Sequence, residues 1–148
     1  MRNATTIVEP KAIFRNAPLF SSFAVKDLDA AREFYRNTIG LDVREVQKMG
    51  LLEIHGRDLT RVMVYPKPDH QPAVFTVLNL PVRDIDEAVD ALTSAGVKFE
   101  RYDTEDIKTD AKGIARAEAD PSGTQGPSIA WFRDPSGNIV SVVEDRQS

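Results

Sequence analysis

Few side chains in this sequence can move a proton near neutral pH. There are two histidines and no cysteine. His55 stands two positions after Glu53, in Glu53-Ile54-His55. Two residues so spaced on a strand share one face. A carboxylate beside an imidazole raises the ring's proton affinity, so the pair suits a base or a substrate-orienting group. It equally suits a hydrogen-bonded pair at a strand rim. His70 sits in a proline-rich run, Tyr65-Pro66-Lys67-Pro68-Asp69-His70-Gln71-Pro72, and reads as a surface loop residue. Trp131 is the single tryptophan. An aromatic with a polar tip can stack on a flat ligand or simply pack a core. Ser141 is a polar residue inside the strand-like run Ile139 to Val143.

An internal repeat positions these residues. VKDLDAAREFYRNTIGLDV begins at Val25 and VRDIDEAVDALTSAGVKF begins at Val82, an offset of 57 (82 − 25). Self-similarity at such a period marks duplicated supersecondary units. Each copy predicts a strand, a helix opened by a capping aspartate (Asp27, Asp84), a glycine stop (Gly40, Gly96) and further strands. Asp84 with Glu87 also has the spacing of a capping box. The predicted strands are 19–25, 41–47, 50–55 and 60–65, then 73–80, 97–102, 128–133 and 138–144. The fold class is therefore α+β, with two tandem βαβββ modules. Residues 1–17 form an N-terminal arm and 18–148 a single domain. Within it, module one covers 18–66, a linker 67–72 and module two 73–145. The polar stretch 103–127 breaks the symmetry, and a loop of that length either covers a pocket or is a solvated excursion.

Composition narrows the function. The chain has 148 residues, 41% hydrophobic and 28% charged. One domain of this size buries roughly 70% of its unfolded surface and needs no metal or disulfide to fold. Net charge is −4 and no block of Lys and Arg stands out, which argues against nucleic acid. No apolar run is long enough for a spanning helix, and the N-terminus lacks a secretory core. A cysteine-free chain fits the cytoplasm.

The repeat, both caps, both glycine stops, Phe34-Tyr35 in the first helix and Phe132-Arg133-Asp134-Pro135-Ser136-Gly137-Asn138 before the last strand together resemble the vicinal oxygen chelate superfamily. That group includes glyoxalase I, bleomycin-resistance and fosfomycin-resistance proteins and extradiol dioxygenases. The resemblance spans about 19–145. It implies that the two modules curl a mixed sheet around a cleft, in which His, Gln or Glu side chains from the leading and last strand of each module hold a divalent metal. It also implies homodimers. Counted by the family's spacing, those positions are Phe20, Met63, Val77 and Ser141.

Such residues do not suit the metal. Phe and Val have no donor, a thioether suits soft ions, and a lone hydroxyl is a poor ligand for hard cations. Glu144, the nearest carboxylate to Ser141, is three positions along and points to the other face. The expectation is thus no metal and no cofactor. Strand alternation sends Phe20, Ser22, Arg61, Met63, Tyr65, Val77, Asn79, Trp131 and Ser141 to the cleft, with Glu53 and His55 on the same side. Apolar walls with a few polar groups describe a small-molecule site. The sequence therefore predicts a metal-independent protein that binds a small aromatic or hydrophobic ligand and forms a homodimer. The alternative is a lyase, isomerase or dioxygenase-like enzyme using Glu53 and His55 or a non-standard metal site.

Overall fold

The computed structural model describes residues 7–119, 122 and 126–147. The first six residues of the arm and most of 120–125 in the long loop lie outside the described residues. The chain runs α1 (Pro10–Phe14), β1 (Ser21–Val25), α2 (Leu28–Glu33, continued by π-helical turns over Phe34–Ile39), β2 (Asp42–Val46), β3 (Leu51–His55) and β4 (Arg61–Pro66). It then runs β5 (Thr76–Val82), α3 (Ile85–Ser94), β6 (Ile114–Ala115), β7 (Ile129–Arg133) and β8 (Ile139–Glu144). The strands form two four-stranded mixed sheets, ordered β1-β4-β3-β2 and β5-β8-β7-β6. This is the α+β, two-module architecture that the repeat predicts. No described helix is long and apolar enough to cross a membrane.

Both helices start as expected. Asp27 accepts from the Ala30 amide and Asp84 from the Glu87 amide, each at 3.1 Å. A second carboxylate reaches α3: Glu144 accepts from the Ile85 amide at 3.1 Å. Glu144 therefore serves the helix side of its sheet, opposite to Ser141. Gly40 ends the first helix at φ +89°, where a Cβ would be strained.

The helix sides of the two sheets share one core. Phe23, Val25, Tyr35, Leu52, Ile54 and Val64 of the first module meet Phe132, Val140 and Val142 of the second. Phe34 packs on Phe132 with ring centroids 6.0 Å apart. The joint is also polar. The buried Asp134 carboxylate accepts from the Tyr35 hydroxyl at 2.7 Å, from the Ser136 and Asn138 amides at 2.9 Å, and from the Asn138 side chain at 3.1 Å. Asn138 in turn donates to the Ala24 carbonyl at 2.8 Å, and the Lys26 amide donates to Ser136 at 2.9 Å. Burial first, and the adjacent Asp134 charge second, push the Tyr35 hydroxyl's pKa far up. The Asp-Pro-Ser-Gly-Asn turn thus fastens module two to β1 and α2 of module one.

One predicted strand differs. Residues 97–102 do not form a continuous strand. Phe99 bridges Phe132, and the Glu100 amide donates to the Trp131 carbonyl at 2.8 Å. The next place along β7 is taken by Ile114, opposite Ala130. The edge strand is split, and residues 101–113 loop out between its halves.

Candidate functional site

The faces turned away from the shared core carry the candidate residues. On the first sheet, register builds two rungs. One runs Arg44, Glu53, Met63, Ser22, and the other runs Asp42, His55, Arg61. Leu52, Ile54 and Val64 are buried on the opposite face, as alternation requires. His55 Nε2 lies 3.3 Å from Glu53 Oε1, and Arg61 lies 3.6 Å from Glu53 Oε2. Both members of the Glu53–His55 pair are mostly covered, with side chains 19% and 23% exposed. The imidazole is therefore not turned to bulk solvent. The Arg61 guanidinium also stands 5.1 Å over the Phe20 ring, a cation–π distance. Arg44 hydrogen-bonds Asp42 and holds that carboxyl below its usual range. Tyr65 sits two places beyond Met63 on β4 and is partly exposed.

On the second sheet the same kind of rung runs Asn79, Ser141, Trp131. Ser141 is fully buried, and its hydroxyl donates to the Asn79 amide oxygen at 2.6 Å. A hydroxyl so engaged is satisfied without a metal. Val77 falls where the ladder slips between Thr76 and Leu78. It packs against the shared core, because a bulge breaks the two-residue alternation.

The structure thus joins Met63 to Ser22 and Ser141 to Asn79, while Phe20 meets Arg61 and Val77 meets the core. None of the four places counted by family spacing offers carboxylate or imidazole. Among the described residues, no group of three or more His, Cys, Asp or Glu is arranged to hold a metal ion. The residues present do not fit the divalent metal that the fold implies.

One further aromatic contact completes the picture. Tyr102 meets Trp131 edge to face, at 5.6 Å and 78°. Sequence reasoning missed Tyr102, which lay at the end of a supposed strand. The Phe-Glu-Arg-Tyr run gives no hint that the chain leaves the sheet after Glu100. His70 stays in the linker turn, its amide donating to the Lys67 carbonyl at 2.9 Å.

Residues 20–142 match the family model described as Glyoxalase/Bleomycin resistance protein/Dioxygenase superfamily. No curated protein matches the sequence. Among solved structures, a member of that superfamily from Sphaerobacter thermophilus is 25% identical with a TM-score of 0.64, over 89% of this chain and 100% of that one. An antibiotic-binding protein from a Streptomyces species is 21% identical with a TM-score of 0.57, over 87% and 97%. Lactoylglutathione lyase from Agrobacterium tumefaciens is 20% identical with a TM-score of 0.58, over 88% and 96%. The family match covers most of the chain, and the fold agrees with it: the protein belongs to the glyoxalase/bleomycin resistance protein/dioxygenase superfamily.

Proposed function

We propose that the protein binds a small aromatic or hydrophobic molecule without a metal. The observation that carries this is the pair of rungs Ser22–Met63 and Asn79–Ser141–Trp131. Where the fold can seat a cation, this chain offers a phenyl ring, a thioether, an aliphatic side chain and a satisfied hydroxyl, with the Trp131 indole beside the last. Such walls favour flat apolar ligands, held by stacking and dispersion. Arg61, Glu53, His55, Tyr65, Ser22 and Asn79 supply polar handles at the margin. The likeness to an antibiotic-binding protein agrees with this reading. Its test is a thermal-shift screen of planar aromatic compounds against protein treated with EDTA. A dose-dependent rise in melting temperature is expected, and no rise with any compound would refute it.

The same reading includes a homodimer acting in the cytoplasm. Its support is the exposure of Ile7, Val8, Ile13, Phe14, Leu19, Phe20, Val74 and Phe75. Helix α1 buries none of its residues. Light scattering should give twice the chain mass.

One observation favours a second reading, an enzyme of the lyase or isomerase type. The Glu53–His55 pair is formed and partly shielded on the open face, the geometry of a general base with a carboxylate to orient it. The modules as drawn from sequence, 18–66 and 73–145, are proposed as its functional halves in either case.

A further inference from the structure

We infer that Tyr102 is a specificity-determining residue of this site, held in place by an insertion that ion pairs clasp to α3. The inference rests on the binding reading above.

The insertion 101–113 is built, not loose. Tyr102 and Thr109 pair through the Tyr102 amide to the Thr109 hydroxyl and the Thr109 amide to the Tyr102 carbonyl, both at 2.9 Å. Asp103 bridges Lys108, and the Thr104 amide closes the turn on the Ile107 carbonyl at 2.8 Å. The return to the sheet passes Gly113 at φ +90°, where a Cβ would lie 2.8 Å from Phe99 Cβ. Only glycine lets the outgoing and incoming chains pass so closely.

A clasp then fixes the base of this hairpin. Arg116 donates to both oxygens of Asp86 at 2.7 and 2.8 Å and to Asp110 at 2.8 Å. Lys112 reaches Asp86 at 3.1 Å and Asp90 at 3.0 Å. Asp110 also accepts from the Lys112 and Ile114 amides at 2.9 Å. Three carboxylates and two cations thus bind the insertion to the first two turns of α3, on the helix side of the sheet.

The consequence appears on the other side. Tyr102, at the base of the hairpin, is delivered against Trp131, whose strand neighbour is Ser141. Two rings at 78° form an aromatic corner. A flat ligand can lie along one ring and is stopped by the other. The position of Tyr102 therefore limits the width of ring system that the Trp131 face accepts. Tyr102 sets the limit, and Asp86 and Arg116 are positioning residues.

Trp131 is the only tryptophan, so its fluorescence reports the corner directly. The probes are naphthalene-2-sulfonate, with two fused rings, and anthraquinone-2-sulfonate, with three. Tyr102→Ala should shift the ratio of their dissociation constants by about tenfold in favour of the wider probe, the value of one aromatic contact. Tyr102→Phe should keep the wild-type ratio. Asp86→Asn should move the ratio in the direction of Tyr102→Ala and red-shift Trp131 emission. If Tyr102→Ala changes both constants equally, or neither, the binding reading stands and the role of Tyr102 falls. If wild-type protein binds neither probe, both fall.

Discussion

The two modules are copies in plan and opposites in chemistry. In module one the outer strand β2 is continuous, and five ionisable residues sit on the open face: Asp42, Arg44, Glu53, His55 and Arg61. In module two the matching edge is split by the 101–113 insertion, and the rung beside Ser141 is neutral and aromatic. Module two gathers its ion-pair cluster behind the sheet, in the clasp on α3, and keeps the Arg133–Glu100 pair at the end of β7. Duplication supplied two equivalent frames. Substitution and one insertion made one face polar and the other a stacking surface.

The strongest way to break the comparison is to separate the modules. Asp134→Ala removes the acceptor shared by Tyr35, Ser136 and Asn138. Leaving several buried donors unpaired should cost about 3–5 kcal/mol, read as a loss in a urea-unfolding midpoint. If the modules were independent, wild-type unfolding would show two transitions; one is expected.

A matched glycine pair sharpens the contrast at the edges. Gly113→Ala combines a left-handed backbone with a clash and should cost about 3 kcal/mol. Gly50→Ala in module one has φ +63° but nothing within 4 Å of the added Cβ, and should cost about 1 kcal/mol. Equal losses would contradict a crowded return in module two.

Acid and salt should loosen the clasp. Hydrogen bonds from Arg116, then Lys112, hold Asp86 well below the usual carboxylate range. Its stabilising effect is therefore fully present above the ordinary aspartate value of about 3.9. It is lost only as pH falls below that, through the lowered value. Trp131 emission should stay constant from pH 7 to pH 5 and shift in stronger acid. At neutral pH, high salt should shift it slightly, since exposed ion pairs are screened.

The smallest effect belongs to the polar face. Arg61 is half exposed and 3.6 Å from Glu53. Arg61→Gln should change stability by less than about 0.5 kcal/mol, measured by thermal unfolding.

Much of this frame was legible in the sequence. Asp27 and Asp84 announced their helices, and the alternation that sent Met63 and Ser141 to the open face left Val64, Val140 and Val142 to the core. Other features resisted. Strand β6 is two residues long, Ile114–Ala115, inside a polar stretch with no period to read. The other half of that edge, at Phe99, looked like an unbroken strand because alternation says nothing about where the chain leaves a sheet. Val77 was assigned by the same alternation, which a bulge defeats. Counting from the capping aspartates also placed Phe20 and Val77 at the site, whereas the ladder sets Ser22 beside Met63 and Asn79 beside Ser141. Spacing along one strand does not fix register between strands. Tyr102 could not be foreseen, since its meeting with Trp131 depends on the whole insertion.

The most direct test of a metal-free binding site is a fluorescence titration of Trp131 with anthraquinone-2-sulfonate in EDTA-treated protein. It should give a saturable change, with the same dissociation constant after adding magnesium, manganese, nickel or zinc. Binding or turnover that appears only with one of those ions would contradict the account.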